Sequence, residues 1–108
     1  MNLRRPAYAR ATCETHRNVG PRGVHGCVTI EFERATAFSF SSVVEWPAGD
    51  NYDSVVEQAV RNALESLRLQ MAFSCRLLAI EWHDIDSCAA GFAFAAAHAT
   101  RVALEEIA

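Results

Sequence analysis

Leu77-Leu78-Ala79-Ile80-Glu81-Trp82-His83-Asp84-Ile85-Asp86-Ser87 is the stretch on which the fold turns. Its first six residues are apolar except Glu81. The segment Arg76 to Trp82 is too short for an ordinary helix and is apolar on both faces, which suits a central strand covered by helices. The last five residues crowd His83, Asp84 and Asp86 into one turn beside Ser87. An Ala-rich helix then runs to about Glu106, with Asp86 or Ser87 as its cap and Asp84 favoured by the helix dipole. Phe92, Ala95, Ala96, Ala99, Val102 and Ala103 recur at the spacing of a core-facing stripe. Glu105 and Glu106 sit where the dipole opposes them, which predicts fraying of the last turn.

Working backwards, residues 69–74 read as a loop. Tyr52, Val55, Val56, Ala59, Val60, Ala63, Leu64 and Leu67 mark an amphipathic helix of about four turns. Asp50 and Asn51 are its capping candidates, and Glu57 and Arg61 form a favourable i,i+4 pair. Before it, Phe38, Phe40, Val44 and Trp46 share one face of a strand that Pro47 and Gly49 stop. Cys27 to Glu33 alternates cleanly, with Val28, Ile30 and Phe32 inward. A short connection between these two strands predicts an antiparallel pair. Three Gly and one Pro in Val19-Gly20-Pro21-Arg22-Gly23-Val24-His25-Gly26 predict a loop. Ala9 to Thr15 supplies a further strand. The expected architecture is α+β: a sheet of three to four strands with two helices packed on one face. Residues 1–108 read as one domain, with residues 1–8 loosely held.

The totals fit that picture. The chain has 108 residues, 51% hydrophobic and 21% charged. No apolar run approaches the ~20 residues of a membrane span. No apolar h-region follows Arg4 and Arg5, so a secretory signal is not expected. Cys13, Cys27, Cys75 and Cys88 lack a C-x-x-C spacing and read as reduced thiols of a cytoplasmic protein. Charge is segregated. Arg4, Arg5, Arg10, Arg17 and Arg22 face only Glu14 in residues 1–26, and the remainder is acidic. All cations are Arg, in keeping with a GC-rich coding bias, but bias does not explain the segregation.

His83 with Asp84 and Asp86 could bind a metal or move protons, and Cys13, His16, His25 and Cys27 could add ligands. The spacing matches no zinc pattern. No nucleophile stands beside a base, and there is no phosphate-binding or dinucleotide loop. The expectation is therefore no enzyme, no cofactor, no nucleotide and no metal. Capping accounts for Asp86 and Ser87, and it leaves His83 unexplained.

His83-Asp84-Ile85-Asp86-Ser87 with Phe92 and Ala95-Ala96 resembles the H-D-V-D-S-S…F…A-A stretch of domain IV of translation elongation factor G. Gly20-Pro21-Arg22-Gly23-Val24-His25-Gly26-Cys27-Val28 resembles that family's G-G-R-G-Q-Y-G-H-V. Pro47, Tyr52, Val56, Ala59 and Val60 follow its helix entry, and Pro6-Ala7-Tyr8 echoes the segment that opens the domain. The matches run in family order over residues 6–107. The resemblance implies a fold like domain 2 of ribosomal protein S5, with a left-handed β-α-β crossover. It also implies two tip loops that meet ribosomal RNA, carried here by Gly20, Arg22, Gly23, His25, Gly26, His83 and Asp84. Glycines let backbone approach RNA, Arg22 can fork a phosphate, and His83 can stack or hydrogen-bond. The implied partner is the ribosome or structured RNA. Departures are Pro21 for a Gly, a shorter approach to His83, Ala93 for a Lys, and two extra residues between Pro47 and Tyr52. No GTPase domain is present. An alternative reading keeps the scaffold without RNA binding, as a protein-interaction or homo-oligomerising domain or a remnant of a larger translation factor. Cys75, Leu77 and Ala79 would then make the uncovered sheet face apolar enough to pair.

Overall fold

A computed structural model describes residues 7–19, 22–47, 49–68, 71–83 and 87–107. Alternation of small and apolar residues with polar ones builds two long strands, β1 (Tyr8–Val19) and β2 (Arg22–Ala35). A short strand β3 (Ser39–Ser42), helix α1 (Asp53–Leu67), strand β4 (Ala72–Glu81) and helix α2 (Ala89–Ile107) follow. The sheet order is β1-β2-β4-β3. β2 lies antiparallel to both β1 and β4, and β3 lies parallel to β4. This is the α+β architecture expected, a four-stranded mixed sheet with two helices.

Two expectations about strands are corrected. β2 and β3 are not an antiparallel pair, because β4 inserts between them. Phe73, Cys75 and Leu77 give β4 the apolar inward face that a central strand needs, whereas β3 carries serines on its exposed positions and takes the edge. α1 thus becomes the crossover of a parallel β3-α1-β4 unit. The glycine-rich segment is also not a loop from Arg22 onward. Gly23 to Gly26 pair with Asn18 to Thr15 and extend β2.

The inward face is continuous across register partners. Ala9 stands opposite Phe32 and Ala11 opposite Ile30; Phe32 stands opposite Cys75 and Ile30 opposite Leu77. All join Val56 and Val60 of α1 and Phe92, Ala95, Ala96, Ala99 and Ala103 of α2 in one core. Cys75 and Leu77 are therefore core residues, which removes the apolar outer face that the self-pairing reading needed. The outer face is polar. Glu31 is its hub: it accepts from the Tyr8 hydroxyl at 2.6 Å and pairs with Arg76 at 3.2 Å. Thr12 meets Thr29 and Ser39 meets Ser74 across strands.

The register slips between Thr29 and Ile30. Ile30 faces Leu77 but Thr29 faces Ala79, so Leu78 is an extra residue on β4. The bulge switches the inward set from Phe73, Cys75 and Leu77 to Ile80 and Trp82, which pack against the core. This is why the run reads as apolar on both faces.

The helices end by different devices. Asn51 Oδ1 accepts the Asp53 N–H at 2.9 Å, while Tyr52 holds the N-cap position without a side-chain cap of its own. Glu57 and Arg61 pair as expected. α2 continues as helix through Glu105 and Glu106, where fraying was expected, to Ile107. Ile107 is fully buried, and the Arg34 guanidinium of β2 donates to its carbonyl at 2.6 Å. Val102, expected inward, is exposed, and Thr100 takes a buried position with its hydroxyl on the Ala96 carbonyl. Among the described residues no helix is long and apolar enough to cross a membrane.

Candidate functional site

β4 stops pairing with β2 at Cys27 opposite Glu81. β1 and β2 continue for five further pairs, from Thr15 opposite Gly26 to Val19 opposite Arg22. At about 3.3 Å per residue the hairpin overhangs the sheet by roughly 16 Å. It contributes to a molecule 52 Å long and 26 Å wide. Beyond β4, Ser87 takes the vacated place beside β2. His25 and Ser87 form a parallel bridge there, and the Cys88 N–H points to the His25 carbonyl at 3.4 Å.

Gly26 and Gly91 make this end possible. A Cβ on Gly26 would collide with the backbone of Gly91 and Phe92, and one on Gly91 with that of His25 and Gly26. The start of α2 therefore lies directly on β2. Gly26 is buried by this packing, so its expected contact with RNA is corrected to a contact with a helix. His25 is corrected likewise. It is only 9% exposed, with Nε2 3.0 Å from Glu14 Oε2 and Nδ1 3.3 Å from the Ser87 hydroxyl.

Ser87 is placed differently from the helix cap expected of it. Its hydroxyl accepts the His83 N–H at 2.7 Å, and its own N–H donates to the His83 carbonyl at 2.9 Å. These bonds close the turn and set His83 on the outside, with its ring 5.7 Å from that of His25. The His16 ring lies 6.0 Å from His25 on the other side. His83 is thus exposed, at the end of the sheet where β2 begins with Arg22 and Gly23. Gly20, Asp84 and Asp86 lie outside the described residues.

An aromatic cluster that the sequence reading missed braces the turn. The Trp82 ring stacks on Phe92 and Tyr52 with centroids 5.7 and 6.1 Å away. Trp46 meets Phe92 edge-on at 5.0 Å and donates from Nε1 to Asp53 Oδ1 at 2.8 Å. Each such pair adds about 0.5–1.5 kcal/mol beyond burial. The signal was present: Trp46 and Trp82 each close an apolar strand-like run. Burial, with Asp50 nearby, pushes the Tyr52 hydroxyl up.

The cysteines are thiols here. Burial pushes Cys75 up to about 12. Cys27 is pushed up to about 12 by burial, by its hydrogen bond with Glu81, and by the charges of Glu81 and Glu14. Neither is an activated nucleophile near neutral pH. Of the four ligands weighed from sequence, His16, His25 and Cys27 share the outer face by register. Cys13, opposite Val28, packs against the core.

No family model and no curated protein matches the chain. Among solved structures it is similar to the crystal structure of ttk003000868 from Thermus thermophilus, with a TM-score of 0.81 at 20% identity. The match covers 95% of this chain and 16% of the Thermus chain, so this chain spans a small part of that protein. At that identity the likeness establishes the α+β fold described above.

Proposed function

We propose that the chain is an RNA-binding module of the elongation factor G domain IV type, which meets the ribosome or a structured RNA through its overhanging end. The reading rests on one observation: the β1–β2 hairpin projects past β4 with the exposed His83 turn at its root. Residues 16–24 carry Arg17 and Arg22 and no acid. A narrow arm with cations is suited to entering a groove between phosphates, and an exposed imidazole can stack on an unpaired base. With His25 and Gly26 buried, the proposed contact set is Gly20, Arg22, Gly23, His83 and Asp84, to which the charge of the arm adds Arg17. The close packing of Gly26 on Gly91 seats the root of the arm on α2. Such a partner places the module in the cytoplasm, where its four free thiols stay reduced. The module recognises shape and charge, and it hydrolyses no nucleotide.

Co-sedimentation with purified ribosomes tests this. The chain is expected to pellet with ribosomes at low salt and to be released as salt rises, as phosphate-dominated contacts require. Arg17→Ala with Arg22→Ala should flatten the salt dependence. His83→Ala should weaken binding about tenfold, the effect of losing one stacking contact. Arg76→Ala, on the sheet face away from the tip, is the control. Tip variants that sediment like the unaltered chain would sink the proposal.

A further inference from the structure

The row of side chains at the root of the overhang breaks the pattern of the outer face. Other rows match like with complement: Thr12 with Thr29, and Arg10 and Arg76 with Glu31. The next row sets Glu14 opposite Cys27 and Cys27 opposite Glu81, a thiol between two carboxylates on three adjacent strands. Their ligand atoms all lie within 4.8 Å of one another. His25, two residues from Cys27 on the same face of β2, brings Nε2 to 3.0 Å from Glu14 Oε2. The Cys27 thiol is also hydrogen-bonded to Glu81, so donors of three chemical kinds converge on one row of the sheet.

We propose that Glu14, Cys27 and Glu81 form a binding site for a zinc-type divalent cation, with His25, beside Glu14, turning in to complete it. The donor set of thiol, imidazole and carboxylate is the one that borderline cations such as zinc prefer over magnesium or calcium. Glu14, Cys27 and Glu81 are register partners on three paired strands, so these three ligands are brought together by the sheet itself. Cys27 is buried at 5% exposure while Glu14 and Glu81 are exposed, which leaves an entry path from solvent. Ser87 completes the set. Its hydroxyl lies against His25 Nδ1 and can accept from it or donate to it, so Nε2 can give up its hydrogen for a metal. A partner on the far nitrogen is what metal-bound imidazoles require. Binding forms a metal–sulfur bond and releases the thiol proton to water. The ion would tie β1, β2 and β4 together where the hairpin leaves the sheet.

The test is titration of the whole, chelator-stripped chain with cobalt(II) in a thiol-free reductant, followed by zinc displacement. The expected result is a single ion per chain with a sulfur-to-cobalt absorption band in the near ultraviolet, lost when zinc is added. Cys27→Ser abolishes the band, and Cys13→Ser and Cys88→Ser keep it. Because Cys27→Ser alters a buried residue, Glu14→Gln with Glu81→Gln is the second arm. Both are exposed, and the pair should weaken affinity about tenfold or more with unchanged circular dichroism. No uptake by the unaltered chain, a band that survives Cys27→Ser, or full affinity in the double Glu→Gln variant would each overturn the site.

Discussion

The two ends of β2 are built on different physics. From Val28 to Ala35 the strand lies between β1 and β4, and its inward residues Val28, Ile30 and Phe32 are fully buried under the helices. From Arg22 to Gly26 it has lost β4, and only β1 remains as a strand partner along its length. What holds this end is a glycine-to-glycine contact with α2 and a few hydrogen bonds centred on His25 and Ser87. Apolar area dominates the first end, and close fit with a small polar network dominates the second. The first end is therefore expected to unfold only with the whole molecule. The second can open by itself, which suits an arm that must adjust to a partner.

Substitutions at the two ends sharpen that contrast. Phe32→Ala removes a fully buried ring from the middle of the core. It should cost about 3–5 kcal/mol, read as a lower urea midpoint with every probe moving together. Gly26→Ala should come next, at about 2–3 kcal/mol, because the added methyl forces β2 and α2 apart. Backbone atoms stand on both sides of that contact, so no side chain can rotate away to absorb it. A Gly26→Ala protein as stable as the unaltered one would mean that α2 does not rest on β2 in solution.

The same contrast explains what the sequence disclosed. Strand β2 and helix α1 were readable because Val28, Ile30 and Phe32 keep period two, and Val56, Val60 and Ala63 keep the helical period. The phase switch in β4 was not, since one extra residue at Leu78 inverts the alternation and leaves only a continuous apolar run. The parallel pairing of β3 was hidden because edge and neighbour depend on which strand offers the better inward face, a property of the whole sheet. Gly23 and Gly26 suggested a loop by composition, yet Gly26 is there so that Gly91, remote in the chain, can approach. At the candidate site, His83 drew notice because capping leaves it unexplained, and the structure leaves it exposed beside His25. Glu14 was overlooked because nothing local connects it to His25 or Cys27; only the β1–β2 register does. Ser87 misled because a serine before a helix caps it far more often than it closes the preceding turn.

Ser87→Ala is the smallest and most discriminating of these changes. Ser87 Oγ accepts from the His83 N–H and touches His25 Nδ1, across 62 residues of sequence. His83 is exposed, so water can replace the lost acceptor at its N–H. His25 is buried, and its Nδ1 loses a partner that water reaches poorly. The cost should be about 1 kcal/mol, the net worth of a hydrogen bond of this kind. More telling is where the loss appears. Amide exchange at His83 and Ser87 should quicken while Ile30 and Phe32 exchange much as before, because the two ends do not share their holding forces. Ser87→Thr, which keeps a hydroxyl, should restore slow exchange. An even quickening over all of β2 would show that the polar end and the apolar end unfold as one, and the arm would then be as rigid as the sheet that carries it.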